Sequence, residues 1–499
     1  MMATVTPELH KNLINGKWVE SRTRETMPSI NPATGEVLGL VPKSGPEDVA
    51  DAVAAAKAAF EKWRKYPAPR RAEILFRAAE MLVKEKENLA RLMTQEMGKI
   101  LTETRGDVQE AIDMTYFIAG EGRRLHGYTT PSEMPNKAAY CIRVPVGVVG
   151  VITPWNFPMA IPSWKIIPAL VCGNTVVFKP ATYTPLVGLR FAQILQEAGL
   201  PPGVLNVVTG SGTTVGDALV EHPDVAIISF TGSTETGLAI AEKCARRGKR
   251  VSLEMGGKNA AIVMDDADLD LATDALIWSA FGTTGQRCTA CSRIITHRPV
   301  RGELTERLVE RAKRLRLGDG LDPATDVGPL VSDTQRERVH GYVEIGRTEG
   351  ARVLVGGHPV TDGPLARGYF YAPTIFDNVT PGMRIAQEEI FGPVTDIIEA
   401  ASLEEAVQIL NNVQYGLSAS IFTRDVNKAM RAIDDIFTGI VYVNHGTIGA
   451  EVHLPFGGTK NTGNGHREGG QQVLDVFSEW KAVYIDYSGR LQRAQIDKD

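Results

Sequence analysis

The chain has 499 residues, of which 43% are apolar and 23% charged, a composition typical of globular proteins with large buried cores. A chain of this length is expected to fold into two or three domains. The net charge is −5 and no block of basic residues stands out, which argues against nucleic acid and anionic membrane surfaces as partners.

The first predicted element is a hairpin, followed by a long helical region. The run NLINGKWVES places Asn15-Gly16 between two short apolar segments, and Asn-Gly supplies the two positive φ angles of a type I′ turn. The run Ser44-Gly-Pro-Glu-Asp predicts a capped helix start with Pro46 at an early position. From there to Arg124 apolar residues recur at helical spacing, so this stretch is predicted to be rich in helix.

From about Gly127 onward the chain contains extended β-branched runs, and strands then alternate with helices. The predicted strands are VVGVITP, NTVVFKP, VLNVVTG and AIISFTG, with helices around 164–170 and 187–198 among them. Alternation of short apolar strands and helices predicts a parallel α/β sheet with right-handed crossovers.

A second α/β stretch runs from about 260 to 444. Strand segments near 128–145 and 475–488 have no partner close in sequence. The predicted fold class is therefore α/β with two parallel-sheet domains, and the two remaining strand segments need a third role.

The cysteines and the start of the chain bear on its compartment. There are five cysteines, an odd and small number for this length, which does not predict a disulfide framework and fits a reduced compartment. The start MMATVTPELHKNLINGKW lacks the apolar core of a secretory signal, and no run of about 18 apolar residues follows. We expect a cytoplasmic protein that does not span a membrane.

Three polar side chains are candidates for chemistry on a carbonyl group. Cys288 follows a predicted helix in FGTTGQRCTAC, in a loop where Gly282 and Gly285 permit close approach of the backbone. Glu254 ends a strand in VSLEMGGKN, where we expect an exposed carboxylate that can swing, and Asn156 follows another strand in TPWNFP. A thiolate can attack an aldehyde, an amide can hold the oxyanion, and a carboxylate can activate water to hydrolyse a thioester. The alternative for this cysteine is a buried structural role.

Cys288 and Cys291 also form a C-x-x-C pair. A single pair, without a second one or a histidine at suitable spacing, is weak evidence for zinc, and its place in the chain does not fit a thioredoxin motif. We therefore predict no metal site, with Cys291 as a small packing residue.

Two glycine-rich turns and one lysine are candidates for binding a dinucleotide. The segments NVVTGSGTTVG and SFTGSTETG both have a strand–turn–helix pattern, but neither meets the strict Rossmann fingerprint, and each also fits a tight turn between packed elements. Lys179, at the end of the strand NTVVFKP, is expected to be exposed and to bind ribose hydroxyls or phosphate. The alternative is a solvated surface lysine.

Together these segments resemble the aldehyde dehydrogenase superfamily over nearly the whole chain. The motifs TPWNFP, FKPAT, FTGSTETG, LEMGGKN, GQRCTA, QEEIFGP and LPFGG occur in the order of that family, and Cys288 follows Glu254 by 34 residues, as the family pattern expects. The resemblance implies a cofactor-binding domain (1–126 and 146–256), a catalytic domain (257–470) and a small β oligomerisation flap (127–145 and 471–499). The flap would extend the sheet of a neighbouring subunit in a homodimer or a dimer of dimers.

The resemblance also implies roles for individual residues. Cys288 would be the nucleophile, Glu254 the general base, Asn156 the oxyanion donor and Lys165 part of a proton relay near the base. NAD or NADP would contact Trp155, Lys179, Thr182, Gly212, Gly232, Ser233, Met255, Glu389 and Phe391. Within that set, Lys179 would hold the adenosine ribose, Ser233 the pyrophosphate, and Glu389 and Phe391 the nicotinamide ribose and ring.

One departure from the family pattern bears on the cofactor. Members that prefer NAD often have a glutamate at the position of Thr182, where it accepts hydrogen bonds from the ribose 2′-hydroxyl and would repel a 2′-phosphate. Thr182 can instead donate a hydrogen bond to a phosphate. We therefore expect NADP+ to be accepted, and even preferred.

Two arginines bear on the substrate. Arg287 precedes the nucleophile and Arg124 ends a helix, and both match arginines in branches that take anionic aldehydes, such as non-phosphorylating glyceraldehyde-3-phosphate dehydrogenase. A guanidinium binds carboxylate or phosphate bidentately. The alternative is that Arg287 points away and pairs with a structural carboxylate. The predicted substrate loop HGTIGAEVH carries Glu451 and His453 but lacks an arginine expected of the phosphate branch.

The favoured substrate is therefore a semialdehyde with a remote carboxylate. Apolar side chains would line its tunnel: Phe157, Ile161, Trp164 and Phe456.

Three other interpretations remain open. A CoA-acylating semialdehyde dehydrogenase would transfer the acyl group to CoA, but members of that branch lack the base that Glu254 supplies. Oxidation of a pyrroline-carboxylate or aminoadipic type of semialdehyde is compatible with the variable substrate loop. A non-catalytic dinucleotide-binding protein would be free to lose Cys288 or Glu254, and the presence of both argues against it.

Overall fold

The computed structural model describes residues 7–496, which begin with two hairpins and three long helices. These elements are β1 (Asn12–Ile14), β2 (Lys17–Val19), β3 (Thr26–Ile30), β4 (Val37–Pro42), α1 (Pro46–Trp63), α2 (Ala68–Met97) and α3 (Leu101–Glu121). The predicted hairpin is confirmed, because β1 pairs with β2, and Asn15 and Gly16 have φ angles of 51° and 75°. The capped start of α1 is also confirmed: the Gly45 N–H donates to the Asp48 carboxylate at 3.0 Å.

The first large sheet follows the three helices. In chain order the next elements are β5 (Tyr128–Pro131), β6 (Lys137–Pro145), β7 (Val148–Ile152), α4 (Ala160–Cys172), β8 (Thr175–Lys179), α5 (Pro185–Glu197), β9 (Leu205–Val207), α6 (Asp217–Glu221), β10 (Val225–Thr231), α7 (Thr234–Ala245) and β11 (Arg250–Glu254). Seven strands pair in the order β11-β10-β7-β8-β9-β1-β2, and the first five of them are parallel. The helix predicted at 164–170 begins earlier, at Ala160. Pro162 does not prevent this, because N–H groups in the first turn of a helix have no partner within the helix and a proline can stand there.

Helices cover both faces of this sheet, as the alternating sequence pattern predicts. One apolar core lies between the sheet and α2, α3, α4 and α5, and another lies between the sheet and α1, α6 and α7. Every residue of β7, β8 and β9 is buried, as expected for central parallel strands.

The second large sheet begins directly after the first. Its region contains β12 (Ala260–Val263), α8 (Leu269–Phe281), β13 (Arg293–His297), α9 (Arg301–Lys313), α10 (Asp333–Thr348), β14 (Arg352–Val355), β15 (Thr374–Asp377), α11 (Arg384–Gln387), β16 (Val394–Ala400), α12 (Leu403–Asn411), β17 (Tyr415–Gly416), β18 (Ser418–Phe422), α13 (Val426–Asp435) and β19 (Ile440–Val443). The strand order is β14-β15-β16-β13-β12-β18-β19, with β14 as an antiparallel edge. The two α/β sheets of the predicted fold class are thus present, with antiparallel β1 and β2 at one edge of the first and antiparallel β14 at one edge of the second.

The last elements are β20 (Thr459–Lys460), α14 (Val473–Val476) and β21 (Ser478–Asp486). β21 pairs with β6 over nine residues, and β6 pairs with β5, so the two strand segments without a local partner form one antiparallel sheet. Between residues 7 and 496 no helix has the length and apolar character needed to cross a membrane.

Candidate active site

Cys288 lies in the connection between α8 and β13, which runs close to other backbone segments. Gly285 has a φ of 67°, and a Cβ there would lie 2.0 Å from the carbonyl oxygen of Gly392. The carbonyl of Cys288 accepts a hydrogen bond of 2.7 Å from Asn259 Nδ2. The predicted close approach is therefore confirmed, and it fixes the position of the backbone that carries the cysteine.

Glu254 and Cys288 line the same cavity, of about 120 Å³. The expectation of an exposed, swinging carboxylate was wrong, since Glu254 is only 3% exposed and neither of its carboxyl oxygens is hydrogen-bonded to another residue in 7–496. The segment LPFGG covers it: a Cβ at Gly457 would lie 2.7 Å from Glu254 Oε1. Burial, and then the charge of Glu468, raises the pKa of Glu254 well above its usual value, which strengthens it as a base.

Asn156 brings an amide to the same place from the connection that follows β7. Its side chain is buried, and Nδ2 donates to the carbonyl oxygen of Gln286 at 3.0 Å. Because an amide nitrogen carries two hydrogens, one N–H remains for another acceptor. Asn156 and Cys288 line a second cavity, of about 140 Å³, which shares Cys288 with the first. The predicted oxyanion donor thus lies beside the predicted nucleophile.

Lys165 lies within α4 and forms a buried ion pair with Glu468, while its Nζ also lies 3.2 Å from Ser229 Oγ. Glu468 lines the Cys288 cavity and was missed by the sequence analysis. Its only signal is an acid among the glycines of NTGNGHREGG. The ammonium group therefore sits next to the acid whose charge acts on Glu254.

Ionisation of the Cys288 thiol to the thiolate is strongly disfavoured in this arrangement. Burial, followed by the charges of Glu389 and Glu254, raises the pKa of Cys288 to about 12. A base in contact with the thiol, or a positive group close to it, is needed to generate the nucleophile at neutral pH.

The second cavity contains most of the predicted cofactor residues. Among those lining it are Trp155, Gly232, Ser233, Met255, Glu389 and Phe391, together with Gln335 and Arg338, which the sequence analysis did not single out. The Glu389 carboxylate accepts a hydrogen bond of 2.9 Å from Gly257 N–H, and a Cβ at Gly256 would lie 2.5 Å from it. The two glycines after Glu254 therefore make room for Glu389.

Aromatic rings and a helix terminus bound the rest of this cavity. Trp155 and Phe391 meet edge to face, with centroids 5.4 Å apart. Ser233 caps the twelve-residue helix α7, so the free N–H groups of the first turn lie at the cavity, where phosphate groups bind well.

Lys179, Thr182 and Gly212 form a separate group at the carboxyl ends of β8 and β9. The expectation that Lys179 is exposed was wrong, and so was the surface-lysine alternative: it is 4% exposed, and its Nζ donates to Pro180 O at 2.9 Å. The turn that begins at Gly212 covers it, and burial lowers its pKa to about 8. Thr182 is exposed, with Oγ1 3.4 Å from the carbonyl oxygen of Gly210.

The residues lining the second cavity and the group formed by Lys179, Thr182 and Gly212 fit a dinucleotide. Both lie at the carboxyl ends of parallel strands of one sheet, where such ligands usually bind. A buried lysine, a helix terminus, a buried carboxylate and two aromatic rings together match the ribose, pyrophosphate and ring portions of such a molecule.

The predicted substrate residues divide into two sets. Phe157, Ile161, Trp164, Phe456 and Arg287 all line the Cys288 cavity. Arg124 lies outside its lining and pairs with Glu121 at the end of α3. Glu451 is exposed, pairs with His453 at 3.3 Å, and lines an outer opening of about 490 Å³.

Arg287 fits both interpretations proposed from the sequence. Its Nη2 lies 3.1 Å from Glu103 Oε1 and its Nε donates to Thr283 Oγ1 at 2.9 Å, so it does pair with a structural carboxylate. It also lines the cavity, with the guanidinium carbon 5.4 Å from the centroid of Phe157.

Residues 7–496 contain no group of three or more His, Cys, Asp and Glu side chains placed to hold a metal ion. Cys291 is fully buried, and its Sγ lies 3.5 Å from the carbonyl oxygen of Arg293, as in a packed core residue.

Comparison with known proteins agrees with this geometry. Residues 18–483 match the model of the aldehyde dehydrogenase family. The chain is 44% identical over 486 residues to alpha-ketoglutaric semialdehyde dehydrogenase of Bacillus subtilis, covering 97% of this chain and 100% of the relative. It is 44% identical over 452 residues to malonate-semialdehyde dehydrogenase 1 of Geobacillus thermodenitrificans, covering 91% and 93%.

A solved structure shows the same fold. Betaine aldehyde dehydrogenase of Staphylococcus aureus, in complex with NAD+, superposes with a TM-score of 0.94 at 35% identity, covering 97% of this chain and 96% of that chain. This chain therefore belongs to the aldehyde dehydrogenase family and is an oxidoreductase that converts an aldehyde to a carboxylate.

Proposed function

We propose that this protein oxidises a semialdehyde with a remote carboxylate, using NAD+ or NADP+, through a thioester on Cys288 that water then hydrolyses. The observation that carries the proposal is the single cavity lined by Cys288, Glu254 and Arg287, which combines a nucleophile, a base and a cation. The names of two relatives, an alpha-ketoglutaric semialdehyde dehydrogenase and a malonate-semialdehyde dehydrogenase, support the substrate class.

In the first step Glu254 accepts the proton of the Cys288 thiol, directly or through one water, and the thiolate adds to the aldehyde carbon. The resulting oxyanion is held by the free N–H of the Asn156 amide and by the backbone N–H of Cys288. A donor of this kind contributes about 10²–10³ in rate, because it is already oriented toward the developing charge.

When bound, the oxidised cofactor supplies the acceptor for the hydride that leaves the substrate carbon. Lys179 would hold the adenosine ribose, and Ser233 with the start of α7 would hold the pyrophosphate. Glu389 would bind the nicotinamide ribose, and Trp155 and Phe391 would position the ring beside Cys288. The location of Glu389 and Phe391 in the cavity that Cys288 also lines supports these roles.

In the second step Glu254 takes a proton from water, and the hydroxide attacks the thioester. The C–S bond breaks, the carboxylate leaves, and the sulfur regains a proton. The Lys165–Glu468 pair beside Glu254 provides a route for the proton released from the base. Glu254 in the cavity favours water over CoA as the acyl acceptor, and it also argues against a non-catalytic binding role.

Arg287 would bind the remote carboxylate of the substrate. Its Nε and Nη2 already bond to Thr283 and Glu103, and within 7–496 its Nη1 makes no hydrogen bond. A substrate carboxylate can therefore bind to Nη1 without breaking the existing pair.

Cofactor choice is the finer part of this proposal. Thr182 is exposed and lies three residues after Lys179. Because this position holds a threonine and not a glutamate, a 2′-phosphate would meet a hydroxyl donor and the ammonium group of Lys179. We therefore propose that NADP+ is used at least as well as NAD+.

We further propose a cytoplasmic homo-oligomer with the domain division 1–126 and 146–256, 257–470, and 127–145 with 471–499. The five cysteines are free, which suits a reducing compartment. The sheet of β5, β6 and β21 carries exposed Tyr128, Trp480 and Tyr484, which a second subunit can cover.

The test is the rate of reduced-cofactor formation with aldehydes of equal length, 5-oxopentanoate and pentanal, with NAD+ or NADP+ in turn. We expect a higher kcat/KM for 5-oxopentanoate and no turnover by the Cys288→Ala variant. Equal or higher kcat/KM for pentanal would overturn the substrate class, and activity of Cys288→Ala would overturn the mechanism.

A further inference from the structure

Glu110 lies at the boundary between the Cys288 cavity and the outer opening, and no role was assigned to it from the sequence. It belongs to α3 and lines both spaces, together with Ala450 of the substrate loop. An aldehyde with a polar tail that reaches Cys288 from this opening must pass the carboxyl group of Glu110.

The charged groups around Glu110 are already engaged with one another. On its own helix, Asp107 accepts hydrogen bonds from Lys99 Nζ at 2.6 Å and from Ala160 N–H at 2.8 Å. From the loop of the nucleophile, Arg287 pairs with Glu103. Glu110 itself makes no hydrogen bond or ion pair with any residue in 7–496, so its carboxyl group is free for a ligand.

The remaining titratable groups near Glu110 lie further along α3 and on two other elements. Asp113 is one turn further along and lines the outer opening, as does Glu451 of the substrate loop. Tyr442 lies on β19, where burial, followed by the charges of Cys288, Glu110 and Glu451, raises its pKa to about 12. The outer opening is therefore acidic, and Arg287 lies further in.

Burial, followed by the charge of Asp107, raises the pKa of Glu110 to about 8, although Lys99 and Arg287 act in the opposite direction. At pH 7 the group is thus mostly a neutral acid that can donate one hydrogen bond, and above pH 8 it is mostly an anion that only accepts.

We propose that Glu110 is a specificity-determining residue whose carboxylic acid donates a hydrogen bond to the remote carboxylate of the substrate, while Arg287 supplies the opposite charge. This inference rests on the proposed function and adds a proton requirement to it. A neutral acid bonds strongly to a carboxylate, whereas an ionised Glu110 repels it. The enzyme therefore selects anionic aldehydes at neutral pH and loses that selection as Glu110 ionises.

The test compares 5-oxopentanoate with pentanal in the holoenzyme at pH 7 and pH 9. The ratio of the two kcat/KM values cancels titrations that affect both substrates, such as those of Cys288 and Glu254. The substrate carboxylate stays ionised across this range. With a pKa of about 8, the neutral fraction of Glu110 falls about tenfold between these pH values, and we expect the ratio to fall by the same factor.

Three variants make the result specific. Glu110→Gln keeps a donor that cannot ionise, so the ratio is expected to be independent of pH. Glu110→Leu removes the donor without placing a charge there, so its ratio at pH 7 should be lower than that of the wild type and should not change with pH. Asp113→Asn, which removes a neighbouring acid of the same helix, should keep a pH-dependent fall, displaced toward lower pH because the charge of Asp113 helps to raise the pKa of Glu110.

A pH-independent ratio in the wild type would overturn the role of Glu110 while leaving the substrate class intact. So would ratios at pH 7 that are reduced equally in Glu110→Gln and Glu110→Leu relative to the wild type. A ratio that rises with pH would mean that the ionised acid binds substrate, and it would overturn the role as well. Preference for pentanal by the wild type at pH 7 would overturn the proposed substrate class, and the role of Glu110 with it.

Discussion

Lys165 and Glu468 are 303 residues apart in the chain, yet they form a buried ion pair behind the Cys288 cavity, with side chains that are 0% and 6% exposed. Glu468 lines the same cavity as Glu254, and burial, followed by the charge of Glu468, raises the pKa of Glu254. The ammonium of Lys165 acts in the opposite direction, so the two charges of the pair partly offset each other in their effect on the pKa of Glu254.

Replacing Lys165 by Met is expected to destabilise the protein by about 3–5 kcal/mol, because Glu468 is left as an uncompensated buried charge. Urea unfolding curves measure the loss. The double variant Lys165→Met with Glu468→Gln should recover most of it, since no charge then remains unpaired. Equal stability of the single and double variants would contradict an energetic role for the pair.

Replacing Glu254 by Gln is expected to slow turnover by about 10²–10⁴, because the thioester lacks a base to activate water. Stopped-flow measurements should also show a slower burst of reduced cofactor, because Glu254 accepts the thiol proton in the first step as well. In the wild type, the rate of thioester hydrolysis should rise with pH until it passes the raised pKa of Glu254, since the base works in its ionised form. Unchanged steady-state turnover of Glu254→Gln would exclude this residue as the base.

Replacing Asn156 by Ala is expected to lower kcat by about 10²–10³ with a smaller change in KM, because the amide acts on the oxyanion and not on the bound aldehyde. Steady-state kinetics at saturating cofactor give both constants. Asn156→Asp serves as the matched control: it keeps the size of the side chain but replaces the donor by an acceptor, and it should lower kcat at least as far. A loss confined to KM would argue against an oxyanion role.

Alkylation of Cys288 by iodoacetamide is expected to be slow at pH 7 in the free protein and to keep rising with pH beyond 10, because its pKa is about 12. Addition of NAD+ should accelerate it, since a positive ring next to the sulfur favours the thiolate. Mass spectrometry of the peptide containing Cys288 follows the reaction, with buried Cys291 as an internal reference. Fast alkylation at neutral pH without cofactor would contradict the raised pKa.

Replacing Thr182 by Glu is expected to raise the KM for NADP+ at least tenfold, because a carboxylate at this exposed position repels a 2′-phosphate and about 1.4 kcal/mol corresponds to a tenfold change. The KM for NAD+ should fall or stay the same. Thr182→Val, which only removes the hydroxyl, should weaken NADP+ binding less. A strong preference of the wild type for NAD+ would refute the proposed use of NADP+.

The sequence predicts most of the fold because its signals are local. The Asn15-Gly16 turn and the alternation of apolar strands with helices depend on neighbouring residues, and the structure confirms both. Cys288, Glu254 and Asn156 could be named in advance because each lies in a short motif at the end of a strand or helix.

The errors concern burial and long-range contacts. Glu254 and Lys179 end parallel strands, where a charged residue is usually exposed, yet distant glycine-containing segments cover both. Glu468 and Glu110 carry no local motif. Both matter because they line the Cys288 cavity. That position depends on how α3 and the segment after β20 pack in the folded chain.

The link between β11 and β12 has only five residues, 255–259, and it joins the strand that carries Glu254 to the sheet beside which Cys288 lies. Asn259 of this link holds the carbonyl of Cys288, and Gly257 holds Glu389. A shift of one sheet against the other by about 1 Å would separate the base from the sulfur and can cost about 10²-fold in rate. Activity therefore reports the alignment of the two sheets. It would disappear in a state in which the sheets keep their native circular dichroism but no longer pack against each other in the native position.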